Sequence, residues 1–152
     1  MTNTVLFVCI HNSARSQMAE AFLKHHCPDR FDAQSAGIEP GKLNPIVVAV
    51  MQELGIDISN NPTRSVLDLV KAGTQCEYVI TVCDETSAER CPVFPGSSKR
   101  LHWGFPDPSA FQGTIEEKLR YTREIRDLIE RKVMQWCLSE CPERTAQTGS
   151  RL

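Results

Sequence analysis

Two kinds of hydrophobic pattern follow one another along the chain. Continuous β-branched and aromatic runs, typical of strands buried on both faces of a parallel sheet, occur at Val5–Cys9 and Tyr78–Cys83. Shorter strands are predicted at Phe31–Ala36 and Lys99–Trp103. Helical periodicity or helix-boundary residues predict helices over Ser16–Cys27, Pro45–Leu54, Val66–Val70 and Thr114–Trp136. This alternation predicts an α/β fold, a three-layer sandwich with helices on both faces of a four-stranded parallel sheet.

The last predicted helix has the clearest signals. Thr114 and Glu117 have the spacing of a capping box, in which each side chain bonds the other residue's backbone N–H. The apolar stripe expected to face the core consists of Ile115, Leu119, Ile125, Leu128, Ile129 and Val133. Residues 139–152 are polar and lack periodicity, so we predict one domain over residues 1–138 followed by a flexible tail.

Composition argues against several classes of protein. The chain has 152 residues, 41% of them hydrophobic, and its net charge of −2 with no basic block argues against a nucleic-acid partner. The longest apolar run, Val5–Ile10, has six residues, whereas a membrane span needs about 20. That run also lacks the features of a secretory leader. We therefore expect a cytoplasmic protein that does not bind membranes and is monomeric by default.

The loop after the first predicted strand carries the most specific chemistry. Ligands of parallel sheets bind beyond the carboxyl ends of the strands, where Cys9 is followed by Arg15 six positions later and then by Ser16. Intervening backbone N–H groups can surround a tetrahedral oxyanion, and the Arg15 guanidinium can bond two of its oxygens. Ser16 can donate to the Cys9 sulfur and favour the nucleophilic thiolate. The predicted oxyanion-binding residues are Ile10, His11, Asn12, Ser13, Ala14, Arg15 and Ser16.

Two other places carry candidate catalytic groups. Cys83 ends a predicted strand, so it should face the same sheet edge as Cys9, and a polar loop long enough for two thiols to meet separates Cys83 from Cys91. Asp107 offers a carboxyl group able to protonate a leaving oxygen. Plainer interpretations remain open, since a cysteine can simply end a buried strand and Asp-Pro is an ordinary helix start.

The other cysteines have no predicted role. Disulfides are rare in reducing compartments, so the seven cysteines of a cytoplasmic chain are core residues or working thiols. Only Cys137 and Cys141 approach metal-ligand spacing, and we predict no metal site. Cys27, Cys76 and Cys137 are interpreted as core or helix-face residues, and Cys141 lies in the predicted tail.

Together these motifs resemble the thioredoxin-coupled arsenate reductases, which share the fold of the low-molecular-weight tyrosine phosphatases. The likeness spans roughly residues 4–136 and rests on Val5–Cys9, Asn12–Ser13, Arg15–Glu20, Ser35–Gly37, Cys83, Cys91–Pro92, His102–Phe105 and Asp107–Pro108.

The resemblance implies a disulfide cascade. Cys9 would attack arsenate while Asp107 helps hydroxide to leave, and Cys83 would then attack Cys9 and release arsenite. Cys91 would next attack Cys83, which leaves a disulfide for thioredoxin to reduce. The resemblance implies no cofactor, because one dithiol supplies both electrons. Phosphate or sulfate would compete with arsenate.

The chain departs from the family pattern at three places. Ala14 stands where well-known members often have cysteine, and the gap between Cys83 and Cys91 is one residue longer than in some relatives. Some members hold potassium through positions matching Asn12, Glu20 and Ser35. Arg64 stands where an acidic partner would be, so we expect no potassium site.

Two alternatives to the reductase remain. A low-molecular-weight phosphotyrosine phosphatase would use Cys9, Arg15 and Asp107 to form and hydrolyse a phosphocysteine. Such phosphatases usually carry tyrosines directly after the Asp-Pro pair, whereas this chain has Ser109, Ala110 and Phe111. The second alternative is a non-catalytic oxyanion-binding or redox-sensing protein.

Overall fold

The computed structural model describes residues 3–84, 91 and 98–140. One parallel sheet has the strand order β2-β1-β3-β4, with β1 at Asn3–Cys9, β2 at Phe31–Gly37, β3 at Tyr78–Thr81 and β4 at Lys99–His102. The helices are α1 at Arg15–His26, α2 at Pro45–Gln52, α3 at Val66–Lys71 and α4 at Ile115–Glu140, with a short 3-10 helix at Pro108–Ala110. The predicted four-stranded parallel α/β sandwich is confirmed.

The central strand β1 divides the core into two clusters. Val5 and Phe7 belong to the larger cluster, which includes residues of α1, α2 and α4. Leu6 and Val8 point to the other face and belong to a smaller cluster with residues of α3. All four side chains are fully buried, as the uninterrupted apolar run of β1 requires. Helices therefore cover both faces of the sheet.

Helix α4 confirms one prediction and corrects another. The capping box forms, since the Glu117 N–H donates to Thr114 Oγ1 at 3.1 Å and the Thr114 N–H donates to Glu117 Oε1 at 3.1 Å. Two members of the predicted stripe are exposed, Ile115 by 68% and Leu128 by 42%. The first buried position of the helix is Thr122, so its first two turns lie beyond the core, and the buried face is fixed by contact with α1 and α2.

The ends of several elements differ from the prediction. Helix α4 ends at Glu140 rather than Trp136, and the Tyr78 hydroxyl donates to Glu140 Oε2 at 3.1 Å. Ser139 and Glu140 are therefore helical rather than part of a tail, while residues 141–152, including Cys141, lie outside the described residues. Strand β3 ends at Thr81 and α2 at Gln52, each two residues early.

The prediction that Cys27 and Cys137 merely fill space is wrong. The two residues are joined by a disulfide, with their Cα atoms 6.8 Å apart. Packing of α4 against α1 brings them together across 110 residues of sequence, a distance at which no local motif could reveal the pair.

Among the residues described, no helix is both long enough and apolar enough to cross a membrane.

Candidate active site

The loop between β1 and α1 is held from outside by the segment that follows β2. The backbone carbonyl groups of the loop accept hydrogen bonds from backbone N–H groups of that segment. The pairs are Ile38 N–H to Cys9 O at 3.1 Å, Glu39 N–H to Ile10 O at 2.7 Å, Gly41 N–H to His11 O at 2.9 Å and Asn44 N–H to Ser13 O at 3.0 Å. The carbonyl and N–H of a trans peptide point in opposite directions. The N–H groups of Ile10, His11, Asn12 and Ala14 therefore point away from the segment, as an anion cradle requires.

Asn12 fixes the shape of this loop. Its φ of 54° lies in the left-handed region, which asparagine tolerates better than most residues. With that turn, the Asn12 N–H reaches the Cys9 sulfur at 3.2 Å. Its side-chain oxygen accepts the Arg64 N–H at 2.9 Å, which ties the loop to the residues before α3. Asn12 is fully buried, so its hydrogen bonds help to fix the direction of the loop amides.

Ser16 orients its hydroxyl hydrogen toward the nucleophile. The Asn12 Nδ2 group donates to Ser16 Oγ at 2.8 Å, and Ser16 Oγ lies 2.9 Å from Cys9 Sγ. Because the Ser16 oxygen already accepts from Asn12, its own hydrogen is available for the sulfur. The Cys9 sulfur thus receives a backbone N–H and faces a hydroxyl, so two polar groups fix its position in the loop.

Gly37 allows β2 to approach the loop, a role that the sequence analysis did not assign. A Cβ atom at this position would lie 2.8 Å from Asn12 N, His11 C and Ile10 O, all of them backbone atoms. Such contacts do not occur in real structures, so any side chain here would displace the loop. In the sequence this glycine is marked by its place at the end of a predicted strand and within the Ser35–Gly37 segment of the family resemblance, neither of which reveals the contact with the loop.

Arg15 connects the loop to Asp107. The Arg15 guanidinium donates to Phe105 O at 3.1 Å and lies 3.7 Å from Asp107 Oδ2. The other Asp107 oxygen accepts the Ser109 N–H at 2.9 Å and caps the short helix at Pro108–Ala110. The Arg15 side chain is almost fully buried, whereas that of Asp107 is one-third exposed. Both predicted residues therefore converge on the mouth of the loop.

Cys83 lies at the same sheet edge as Cys9, as the sequence analysis predicted. Strand β3 runs parallel to β1 in a register that pairs Val8 with Thr81, and Cys83 follows two residues later. Cys83 is fully buried and belongs to the same apolar cluster as Cys9. Burial raises the pKa of Cys83 to about 11, and smaller electrostatic effects of Arg15, which lowers it, and Cys9, which raises it, act on the same thiol.

Comparison with known proteins then fixes the family. The family model described as low-molecular-weight phosphotyrosine protein phosphatase matches residues 4–147. The chain belongs to this phosphatase family. An arsenate reductase of Bacillus licheniformis is 42% identical to it over 146 residues, which cover 96% of each chain.

Two solved structures share the fold of this family member. An arsenate reductase in the phosphate-binding state has a TM-score of 0.72 at 26% identity, covering 91% of this chain and 98% of the other. A thioredoxin-dependent arsenate reductase of Corynebacterium glutamicum has a TM-score of 0.58 at 28% identity, covering 88% of this chain and 63% of the other. The predicted phosphatase-like fold is confirmed.

Behind the cradle of this phosphatase-family chain lies a row of polar side chains. Asn12 Nδ2 also donates to Ser35 Oγ at 2.9 Å, and the Ser35 hydroxyl donates to Glu20 Oε1 at 2.7 Å. The other Glu20 oxygen binds Lys24 Nζ at 2.9 Å. Local spacing reveals only the Glu20–Lys24 pair, four residues apart on α1. The row connects the Asn12 side chain to a charged pair at the edge of the protein.

Cys91 lies apart from Cys83. It is 4% exposed and belongs to the smaller cluster on the other face of the sheet, together with Leu6, Val8 and Cys76. The guanidinium of Arg100 donates to its carbonyl oxygen at 3.1 Å. Burial raises the pKa of the Cys91 thiol, and nearby Arg100 lowers it by less. The structure thus brings Cys9 and Cys83 together but not Cys83 and Cys91.

Space for a ligand adjoins the loop. A cavity of about 390 Å³ is lined by residues that include Ser13, Asn44, Pro108 and Ser109. Asn44 Nδ2 donates to Ser109 Oγ at 2.9 Å and so joins the two walls next to Asp107. Within residues 3–84, 91 and 98–140, no group of three or more His, Cys, Asp or Glu side chains is arranged to hold a metal ion.

Proposed function

We propose that this chain reduces arsenate to arsenite through Cys9, Cys83 and Cys91, with thioredoxin as the final reductant. The observation that carries the proposal is the position of Cys83, buried in one cluster with Cys9 and within electrostatic reach of both Cys9 and Arg15. A phosphatase needs the cradle, Arg15 and Asp107, but it has no use for a second thiol beside the first. The names of the relatives support the same conclusion.

The first step uses the residues around Cys9. Arsenate, a tetrahedral oxyanion, binds to the loop N–H groups and to the Arg15 guanidinium. The Cys9 thiolate attacks arsenic, an As–S bond forms, and a hydroxyl group of arsenate takes a proton from Asp107 and leaves as water. Phosphate and sulfate have the same shape and compete for the cradle.

The second step transfers two electrons to arsenic. The Cys83 thiolate attacks the Cys9 sulfur, an S–S bond forms, and the electron pair of the As–S bond remains on arsenic. As(V) becomes As(III), which leaves as arsenite. Because burial holds the pKa of Cys83 at about 11, this step requires the Cys83 proton to be removed as the sulfur moves toward Cys9.

The third step moves the disulfide outward. The Cys91 thiolate attacks the Cys83 sulfur, the Cys9 thiolate leaves, and a Cys83–Cys91 disulfide results. Cys91 packs against the other face of the sheet, so it must first leave the cluster that contains Cys76. A dithiol protein such as thioredoxin then reduces the new disulfide by thiol–disulfide exchange.

One set of structural features is also compatible with the phosphatase alternative. The cradle, Arg15 and the partly exposed Asp107 would equally serve phosphate-ester hydrolysis. The first aromatic residue after the Asp-Pro pair is Phe111, and its ring stacks on Tyr121 with centroids 4.5 Å apart. The same residue lines the cavity beside the loop, so it could meet the aryl group of a phosphate ester bound there.

Substitution at position 83 separates the two activities. With thioredoxin, thioredoxin reductase and NADPH, the wild-type chain should oxidise NADPH only when arsenate is present. Cys83→Ser should abolish that oxidation, because no other free thiol among the described residues lies in the cluster that contains Cys9, while any slow hydrolysis of an aryl phosphate survives. Cys76→Ala, which removes a buried thiol outside the cascade, serves as the control and should retain arsenate turnover. Undiminished arsenate turnover in Cys83→Ser would overturn the cascade.

A further inference from the structure

The disulfide between Cys27 and Cys137 has no part in the proposed reaction. Cys27 caps the C-terminal end of α1, and Cys137 lies in the last turns of α4. Both residues are 2% exposed. A cluster of aromatic rings, including Phe31, Tyr78 and Trp136, packs beside them. The pair thus lies within an ordered core rather than on a surface loop.

The pair lies at the edge of the sheet opposite to Cys9. Helix α1 begins at Arg15, next to the anion cradle, and its 12 residues span roughly 18 Å at 1.5 Å per residue. Cys27 follows its last turn and precedes the start of β2. Thiol–disulfide exchange requires one sulfur to touch another, so Cys9 and Cys83 do not reach this pair in the folded protein.

Access to the two sulfurs is limited by size. A cavity of about 180 Å³ adjoins them, lined by His26, Cys27, Met134, Cys137 and Leu138. This volume holds a few water molecules, each of which occupies roughly 30 Å³ in the liquid. Hydrogen peroxide is little larger than water and fits such a space. The active-site sulfur of a dithiol protein moves with its own backbone, and because both cysteines are buried it would have to displace the residues around the disulfide to reach either sulfur.

We propose that Cys27 and Cys137 form a second redox site, a stabilising disulfide that peroxides generate and that the protein dithiol recycling the cascade leaves intact. One thiolate attacks hydrogen peroxide, the O–O bond breaks, and a sulfenic acid and hydroxide form. The second thiol attacks the sulfenic sulfur, the S–S bond forms, and a proton taken up by the leaving oxygen gives water. In total, two thiols and one peroxide give one disulfide and two water molecules.

The expected benefit is stability of the fold. The link closes a segment of 110 residues that includes β2, β3 and β4, and a disulfide that closes a long loop restricts the unfolded chain strongly. The disulfide also links α4 covalently to the end of α1, the helix that begins at Arg15. Because it lies far from the cradle, the disulfide should change thermal stability and leave arsenate turnover unchanged.

Thiol mapping tests this proposal directly. Fully reduced wild-type protein is treated with one equivalent of hydrogen peroxide per pair of thiols, then with thioredoxin, thioredoxin reductase and NADPH. Free thiols are alkylated in denaturant, and the peptides are mapped by mass spectrometry. We expect a Cys27–Cys137 disulfide peptide together with alkylated Cys9, Cys83 and Cys91. Alkylation of Cys27 and Cys137 would overturn the proposal.

Thermal unfolding gives an independent readout. The peroxide- and thioredoxin-treated wild type should have a Tm on the order of 10 °C above that of the fully reduced protein. Cys76→Ala, the control that removes a buried thiol on the other face, should keep this redox-dependent rise. Cys27→Ala and Cys137→Ala should lose it, and a rise retained in both would contradict the proposal. If neither variant folds, the wild-type peptide map decides alone.

The outcome does not depend on the proposed reductase. Cys27→Ala should turn over arsenate at the wild-type rate below its melting temperature. If the chain fails to reduce arsenate, the peptide map and the redox-dependent Tm still establish or refute the second redox site.

Discussion

Cys9 ends β1 and Cys83 follows the neighbouring strand β3 by two residues, so both lie at one edge of the sheet, but their surroundings differ in kind. The Cys9 sulfur meets the Asn12 N–H and the Ser16 hydroxyl, both held in place by further hydrogen bonds. Around Cys83 the dominant influence is burial, which raises its pKa to about 11. In the proposed cascade, the difference teaches that hydrogen bonds position the Cys9 sulfur before substrate arrives, whereas Cys83 has to lose its proton during the reaction.

Displacement of the loop around Cys9 should have the largest effect on arsenate turnover. In Gly37→Ala the new Cβ would lie 2.8 Å from backbone atoms of the loop, so the loop must shift. We expect kcat/KM for arsenate to fall on the order of 100-fold, as misplacement of reacting groups commonly does. Gly41→Ala is the matched control, because its Cβ would lie an ordinary 3.5 Å from the His11 side chain. Equal rates in the two variants would show that the loop tolerates displacement.

A smaller loss, in anion affinity, should follow when the planar guanidinium of Arg15 is replaced by a lysine ammonium of the same charge. Arg15→Lys preserves a positive charge, yet an ammonium cannot bond two oxygens side by side or hold Phe105 O as well. Phosphate and arsenate should bind about 30-fold more weakly by titration calorimetry. Arg123→Lys, which affects only the surface pair with Glu53, should leave anion affinity unchanged. Unaltered affinity in Arg15→Lys would argue against the cradle itself.

The raised pKa of Cys83 should make the rate of disulfide formation depend on pH. Far below a pKa of about 11, the thiolate fraction of Cys83 rises about tenfold per pH unit. Formation of the Cys9–Cys83 disulfide after one pulse of arsenate should therefore accelerate by about that factor per unit between about pH 6 and 8. Hydrolysis of an aryl phosphate, which needs no second thiol, should lack this slope. A flat profile for disulfide formation would mean that Cys83 is activated before substrate binds.

The smallest effect should come from the polar row behind the loop. Ser35→Ala removes the bond from Asn12 Nδ2 and the bond to the partly exposed Glu20 carboxylate, but it leaves the bonds that join Asn12 to Ser16 and to the Arg64 N–H. We expect kcat for arsenate to fall about threefold with KM nearly constant, the cost of one neutral hydrogen bond. Ser59→Ala, on an exposed loop, provides the baseline. A rise in KM alone would place the role of Ser35 in binding rather than in orienting Ser16.

Sequence reasoning reached those parts of the site that are contiguous in the chain. Cys9, Arg15 and Ser16 lie within eight positions, between an obvious strand and an obvious helix, and local spacing was enough to predict them. Cys83 was also predictable, because parallel strands place their carboxyl ends at one edge.

Features that depend on register or packing were not predictable. Gly37 matters because β2 pairs with β1 so that it lies opposite Cys9, and no local pattern contains that information. The link between Cys27 and Cys137 depends on how two helices pack. The exposure of Leu128 has the same origin, since periodicity gives the width of a helical stripe but not the angle at which neighbours cover it.

The placement of Cys83 and Cys91 on opposite faces of the sheet has a consequence for the idle enzyme. The two resolving sulfurs can join only after Cys91 has left its cluster, and in the proposed cycle that movement follows the attack of Cys83 on Cys9. An oxidised pair formed earlier would leave no electrons for the next arsenate. Separation of the two thiols therefore favours a resting protein that keeps its reducing power until a substrate draws on it.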